Sequence, residues 1–221
     1  MSSTRRAIRD FRDYVLRVKR LDREALASVY LSGSGIEIGA LYDPLKIPLS
    51  AKVKYLDCAS ERELRKRYSE LEFKNIVYVD ILDNGEKLET IEDSSQDFII
   101  ANHFLEYCEN PISAVANFVR VLKNNGVLFI CVPDKRYSFD NDRKTTTFGH
   151  LLRDYEQGPI CSKNDHFRDW VVFVERKENE DEIQQRMKEL ISESYSIHYH
   201  VWAEKDMLTF FEMLDKQSAC Q

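Results

Sequence analysis

The 221-residue sequence predicts an α/β fold, in which one open, mainly parallel sheet of about five strands carries flanking helices. Three observations predict it. Short apolar runs rich in Ile, Val, Phe and Tyr recur along the first part of the chain, as in strands buried on both faces. Helical patterns occupy two of the intervals between these runs. The runs end in polar or small residues, at the edge where open parallel sheets bind ligands.

The elements begin with a helix and continue with the sheet. From Thr4 to about Tyr30, apolar residues recur at steps of three and four and share one helix face. Strands are predicted in the runs GIEIGA, VKYLD, NIVYVDIL, DFIIA and GVLFICVP. Helices are predicted in SERELRKRYSEL and PISAVANFVRVLKNN, and in the second Pro111 lies in the first turn and Gly126 follows the last.

The chain after Pro133 predicts a polar loop and a group of helices. The helical patterns cover about 146–157, 164–176, 180–193 and, after the alternating run SIHYHVW, Glu204–Asp215. No Pro/Gly linker divides the chain. We therefore expect an N-terminal helix (1–30), an α/β core (31–135) and a helical segment of the same domain (136–221).

The composition argues against several classes of protein. A formal net charge of −6 opposes a broad nucleic-acid surface, which needs a basic face. No apolar run reaches the ~20 residues that span a bilayer, and the N-terminus lacks the apolar core of a signal peptide. We therefore expect a cytoplasmic protein without a membrane partner. The 5 cysteines are scattered and form no CxxC pair, which indicates free thiols.

Polar and small residues stand at the ends of the first four predicted strands: Glu37, Gly39, Ala40, Asp57, Asp80, Ile81, Asn102 and His103. An acidic residue ~20 positions after a glycine turn can accept from both ribose hydroxyls of an adenosine-containing cofactor. A dinucleotide site is not expected, because Gly33 and Gly35 precede the strand and predict a turn there. The simpler alternatives are a helix cap at Asp80, a core histidine at His103 and a surface ion pair of Glu106 with Arg120.

The series GIEIGA, YLD, VDIL, QDFIIANHFLEYCENP and VANFVRVLKNNGVLFICVP resembles the class I S-adenosylmethionine-dependent methyltransferases, closest to a type 11-like branch with an EIGA turn. The resemblance implies a Rossmann-like core (31–135) that binds S-adenosylmethionine. It implies that Glu37, Gly39 and Ala40 form the cofactor turn and that Asp57 binds the ribose. It also implies that Asp80 and the Ile81 backbone hold the adenine, with Asn102 and His103 near the methionine portion. One glycine follows strand one, where the family usually has several.

The polar loop after strand five is the predicted acceptor side. Its substrate candidates are Asp134, Arg136, Tyr137 and Arg143, and His150 and His200 are the candidate bases for a hydroxyl acceptor. Asp140, His166 and His198 are further candidates, and pairing of the Arg and Asp side chains with one another stays an alternative. His198 and His200 share one side of an alternating run, but a closed metal site needs three or four ligands, so we expect no metal.

The predicted function is methyl transfer to a hydroxyl group of a small-molecule or glycan acceptor. The alternative is a truncated methyltransferase fold that serves as a non-catalytic binding or scaffold module. Methyltransferases of this class usually carry a further β-hairpin, and the residues after Trp202 suffice only for a helix. The edge of strand five is therefore expected to be covered by the SIHYHVW run or by a second copy of the chain in a homodimer.

Overall fold

The computed structural model describes residues 22–68 and 73–218. Most of the helix predicted from Thr4 to Tyr30 lies outside these residues. Its last part is α1 (Arg23–Tyr30), which begins where the Asp22 side chain accepts a hydrogen bond of 2.8 Å from the backbone N–H of Ala25. Ala27 of α1 is fully buried and packs against the sheet.

Five parallel strands form one sheet in the described part of the chain. They are β1 (Gly33–Ile38), β2 (Ala51–Asp57), β3 (Ile81–Leu82), β4 (Gln96–Asn102) and β5 (Leu122–Cys131). Their order is β3-β2-β1-β4-β5. The open α/β sheet predicted from the sequence is confirmed. The direction in which strands are added reverses between β1 and β4, which is where such sheets bind ligands.

Six further α-helices follow α1 in the described part of the chain. They are α2 (Glu61–Arg67), α3 (Pro111–Val121), α4 (Phe148–Gln157), α5 (Lys163–Asp169), α6 (Glu180–Ser192) and α7 (Glu204–Ser218). The core on one face joins β1 and β4 to apolar side chains of α3, α4 and α7. The core on the other face contains Ala27, Leu45 and Phe129. A separate core lies among α5, α6 and the π-helical turn Trp170–Val174.

The glycines before the first predicted strand belong to β1 itself. The prediction of a turn at Gly33 and Gly35 is wrong, since both pair with β2. A Cβ atom at Gly35 would lie 2.3 Å from the backbone oxygen of Phe98, and one at Gly33 would lie 2.4 Å from Oδ2 of Asp97. Gly35 is therefore required because the Phe98 backbone of β4 lies too close for any side chain. Gly33 faces only the Asp97 side chain, and its φ of +80° is what favours glycine there.

Two predicted boundaries also differ from the structure. The run 75–82 pairs as a strand only at Ile81–Leu82, because the backbone N–H of Val77 donates instead to the carbonyl of Leu41, 2.8 Å away. The helix that starts at Pro111 ends at Val121 rather than near Asn125. The residues from Leu122 onward already belong to β5, which has an irregularity opposite the start of β4.

The SIHYHVW run lies beside the continuation of β5. Trp202 forms a parallel bridge with Asp134, and the backbone N–H of Lys135 donates to the Trp202 carbonyl at 2.8 Å. The expectation that this run packs near the strand-five edge is met at this bridge. No helix in the described ranges is long and apolar enough to cross a membrane.

Candidate active site

Gly39 follows the carboxyl end of β1, where the backbone is exposed. This residue has a φ of +65°, which favours glycine, and a Cβ atom placed there would meet only the Phe104 ring, at 3.7 Å. Its backbone N–H donates to the Leu56 carbonyl of β2 at 2.9 Å. The exposed backbone at Gly39 therefore leaves room for a ligand between the ends of β1 and β4.

Glu37 holds the loop that follows this opening. Its side chain is buried, and both carboxylate oxygens accept from the backbone N–H of Leu45, at 2.9 and 3.2 Å. Burial raises the pKa of Glu37 to about 7, although the bond from Leu45 opposes the shift. Glu37 thus positions the 40–45 segment beside the opening, in addition to any contact with a ligand.

Asp57 and Asp80 have different surroundings although both were predicted as cofactor residues. Asp57 ends β2 and is half-buried, and burial raises its pKa against hydrogen bonds from Cys58 and Ala59. Asp80 is exposed, and its carboxylate accepts from the backbone N–H of Tyr55 at 2.9 Å. Asp80 therefore stabilises the β2–β3 pairing, and its adenine contact stays a prediction, as does that of Ile81, which pairs with Leu56.

Asn102 and His103 lie at the end of β4, beside β1. Both polar atoms of the Asn102 side chain are buried and make no hydrogen bond with the described residues. His103 has a φ of +48°, its backbone N–H donates to the Cys131 carbonyl at 2.8 Å, and 57% of its side chain is exposed. A buried amide without partners at a strand end indicates that a ligand completes its hydrogen bonds.

Glu106 lies beside the candidate site, and the sequence analysis did not select it for a role there. It is fully buried, and its Oε1 atom lies 3.4 Å from Nδ1 of His103, an approach that raises the pKa of His103. The suggested surface pair of Glu106 with Arg120 is wrong, because Arg120 donates to Asp93 at 2.5 Å instead. The spacing of three residues between His103 and Glu106 could have shown the contact, since one turn brings such side chains together.

Residues 32–130 match a protein family described as a methyltransferase domain. This chain carries a class I, S-adenosylmethionine-dependent methyltransferase domain. The match begins just before β1 and ends within β5, so it covers the strand ends described above. The EIGA-turn branch stays a prediction.

Several solved structures are similar to this methyltransferase. A SAM-dependent methyltransferase of Aquifex aeolicus is 17% identical over 66% of this chain and 80% of that chain, with a TM-score of 0.39. The YcgJ protein of Bacillus subtilis is 14% identical over 86% and 64% of the two chains, with a TM-score of 0.41. The trans-methyltransferase CalH, solved with SAH, is 20% identical over 43% and 30%, with a TM-score of 0.32. No curated protein matches the chain.

The described residues fit the S-adenosylmethionine that this enzyme uses. The open backbone at Gly39 provides the space, and the unpartnered Asn102 amide provides a donor and an acceptor. Asp57, at the end of the neighbouring strand, offers a carboxylate for ribose hydroxyls. The roles of these residues, and that of Ala40 at the turn, stay predictions.

The predicted substrate residues do not form one group in the methyltransferase. Arg136 and Asp134 pair with each other at 2.5 Å, which lowers the pKa of Asp134 to about 2, and this supports the alternative of internal pairing. Tyr137 is 85% exposed. Arg143 is buried and donates to Asp140 and to the His198 carbonyl, each at 2.8 Å. Arg143 therefore organises the interior of the loop.

The two predicted bases lie together, with a third histidine. The ring centroids of His150 and His200 are 5.9 Å apart, and His166 lies beside both. His200 is fully buried, whereas 23% of the His150 side chain is exposed. The backbone N–H of His200 donates to the Glu106 carbonyl at 3.2 Å, so this group lies behind the turn that carries Glu106.

Proposed function

We propose that this methyltransferase transfers the methyl group of S-adenosylmethionine to a hydroxyl group of a small-molecule or glycan acceptor. The observation that carries the proposal is the His103–Glu106 pair, which lies directly after Asn102 at the cofactor edge of β4. An exposed imidazole backed by a buried carboxylate is suited to take a proton from an acceptor. The transfer itself needs the acceptor oxygen in line with the activated methyl group and the exclusion of water.

The need for a base distinguishes hydroxyl acceptors from neutral amine acceptors. A hydroxyl oxygen is a weak nucleophile until its proton is removed, whereas a neutral amine already has a free electron pair. Bound S-adenosylmethionine would supply the activated methyl group, whose carbon–sulfur bond would break as the acceptor oxygen takes the methyl. Nε2 of His103 would accept the hydroxyl proton. S-adenosylhomocysteine is the other product. Glu106 then faces the imidazolium ion that has formed.

His103 is better placed for this role than the bases predicted from the sequence. His200 has no exposed surface, and burial lowers its pKa well below the ordinary value. Burial and the neighbouring His150 lower the pKa of His166 to about 4. Glu106, by contrast, raises the pKa of His103. A base role for His150 stays a prediction, supported by its partial exposure.

The proposal is tested in two stages. Calorimetric titration with S-adenosylhomocysteine establishes cofactor binding, with NAD as the comparison ligand. Labelled S-adenosylmethionine is then offered with panels of sugars, phenols and primary amines, and the products are identified by mass spectrometry. We expect methyl ethers, and we expect His103→Ala to reduce turnover by about 10²–10⁴-fold with cofactor affinity retained. Methylated amines, or full turnover by the His103 variant, would contradict the proposed acceptor and base.

A further inference from the structure

Three buried side chains and one partly exposed one, from α4, α5 and the SIHYHVW run, converge at one point. We propose that one Zn²⁺ ion binds there, held by His150, Asp154, His166 and His200. We call these residues the histidine cluster. The proposed methyl transfer uses His103 as its base, so this site is independent of that step, and a zinc ion on His150 would exclude the base role predicted for that residue. The expectation of no metal considered His198 with His200, but His198 lies elsewhere, bound to Asp140 at 2.7 Å.

The spacing of the ligand atoms is that of a small coordination sphere. One ring nitrogen from each histidine lies within 4.8 Å of the others. Nε2 of His150 lies 3.1 Å from Nε2 of His166 and 3.0 Å from Oδ2 of Asp154. Two ligands of a tetrahedral zinc ion are about 3.4 Å apart, since each bond is about 2.0–2.1 Å. The cluster therefore needs only small adjustments to surround an ion.

The local structure explains why these atoms meet. His150 and Asp154 are one helical turn apart on α4, so their side chains leave the same face. His166 lies on α5, and its Nε2 is 3.8 Å from Oδ2 of Asp154. His200 comes from the extended run, which is held on both sides by backbone hydrogen bonds. The N–H of His200 donates to the Glu106 carbonyl, and the N–H of Thr146 donates to the Val201 carbonyl. Ligands held by three separate elements are positioned before an ion binds.

The buried polar atoms of the cluster indicate that a partner is missing. Asp154 and His200 have no exposed surface. Both oxygens of Asp154 and both ring nitrogens of His200 lack a hydrogen bond of good geometry to the described residues. Leaving one such atom unpaired costs about 1–3 kcal/mol, so several at one point need an explanation. A divalent cation would engage the carboxylate and three uncharged imidazoles at once.

The composition of the cluster favours zinc over the hard cations Mg²⁺ and Ca²⁺. Imidazole nitrogen with one carboxylate suits Zn²⁺, whereas Mg²⁺ and Ca²⁺ prefer oxygen ligands. His166 and His200 are buried, so the site is largely enclosed by protein. The alternative without metal is a hydrogen bond between His150 and His166, with the His200 ring facing the Glu109 backbone.

Arg153 provides a specific check on this assignment. Its guanidinium nitrogen lies 2.9 Å from Nδ1 of His150, and the Arg153 side chain is on the surface. A nitrogen that accepts from arginine cannot also carry the hydrogen that a neutral, Nε2-bound imidazole needs at Nδ1. Arg153 must therefore move aside when zinc binds. Arg153→Ala is expected to strengthen zinc binding.

The experiment measures zinc on the tag-free protein. The protein is stripped with a chelator, reloaded with Zn²⁺ against a chromophoric competitor, and analysed by mass spectrometry of its metal content. We expect about one tightly held zinc ion per chain. His166→Gln and His200→Gln should each weaken binding by at least about 100-fold, more than the loss that outer-shell changes cause. His103→Gln, outside the cluster, is the matched control and should bind as the wild type does.

Two further measurements test whether the variants are folded and whether the site is tetrahedral. Circular dichroism confirms that each variant is folded, and a variant that is unfolded is replaced by Asp154→Asn, which keeps the shape of the side chain. Co²⁺ is then substituted in the wild type, and the strong visible absorption of a tetrahedral Co²⁺ site should appear. A wild-type protein that binds no zinc, or zinc binding that survives all folded cluster variants, would overturn the proposal whether or not the enzyme binds its cofactor.

Discussion

Oε1 of Glu106 lies 3.4 Å from Nδ1 of His103, and Glu106 is fully buried. The contact joins an interior carboxylate to an imidazole at the cofactor edge of the sheet. Because a carboxylate favours the protonated imidazole, it raises the pKa of His103. This relationship links the burial of one side chain to the basicity of another.

Glu106→Gln should lower the pKa of His103, since the amide removes the charge but keeps the side chain's volume. The imidazole signal of His103 is followed in an NMR pH titration, with assignment from His103→Gln. We expect the midpoint to move toward lower pH than in the wild type. The acidic limb of the activity profile should move in the same direction, because the base must be unprotonated. An unchanged midpoint would show that Glu106 does not act on His103.

Asp57 and Asp80 form a matched pair for testing cofactor binding. If Asp57 accepts from the ribose hydroxyls, Asp57→Ala should weaken S-adenosylhomocysteine binding by about 1.5–3 kcal/mol, the contribution of hydrogen bonds to a charged group. Asp80→Ala should mainly lower the melting temperature, because its carboxylate accepts from the Tyr55 backbone. Calorimetry and thermal melts of both variants separate the two roles. The reverse pattern would exchange their assignments.

Gly35→Ala should destabilise the fold by about 1–3 kcal/mol or more, because its new methyl group would lie 2.3 Å from the Phe98 carbonyl oxygen. Gly149→Ala is the control. Gly149 lies in α4 with nothing within 4 Å of the added atom, so alanine there should be neutral or stabilise by up to about 1 kcal/mol. Urea denaturation measures both. Equal stability of the two variants would refute the close approach of β1 and β4.

Glu37 should make the stability of the enzyme depend on pH. Burial raises the pKa of Glu37 in the folded protein from 4.5 to about 7. Its contribution to the free energy of unfolding is therefore full below pH 4.5 and is lost as the pH rises through 7. The loss is about 3 kcal/mol, from a shift of 1.36 kcal/mol per pKa unit. Glu37→Gln should remove this dependence. Chemical denaturation of both proteins between pH 5 and pH 8 checks it, and parallel curves would be the contrary result.

The edge of β5 carries the prediction of a homodimer. An apolar groove of about 800 Å³ beside this strand is lined by Val119, Leu128 and Phe211, among others. If a second copy covers it, Val119→Glu should convert dimers to monomers in light scattering after gel filtration, because a charge would be buried. Val29→Glu is the control, because Val29 is also exposed and lies on α1, which packs on the opposite face. A monomeric wild type would contradict the prediction.

Local patterns were sufficient for most of the fold. The apolar runs around Ile36, Leu56 and Ile99 are buried strands because short, nearly continuous apolar runs rich in β-branched residues favour strands buried on both faces. The errors in predicted boundaries occur where hydrogen bonds to distant segments decide whether a residue belongs to a strand. Residues 75–79 read as a strand, but their backbone groups bond elsewhere, as Val77 does with Leu41. Sequence periodicity carries no information about which segment of the chain pairs with a given strand.

The sequence alone determined the strand runs, their alternation with helices and the strand ends at Gly39, Asp57 and Asn102, since these follow from patterns among near neighbours along the chain. Only the tertiary structure decided what surrounds each polar side chain. Glu106 is buried because the loop around His198 and His200 folds over its turn. The histidine cluster brings together residues up to 50 positions apart, from His150 to His200. Whether residues so far apart in the sequence come into contact depends on how whole helices and strands pack, because burial and contact are properties of the assembled core.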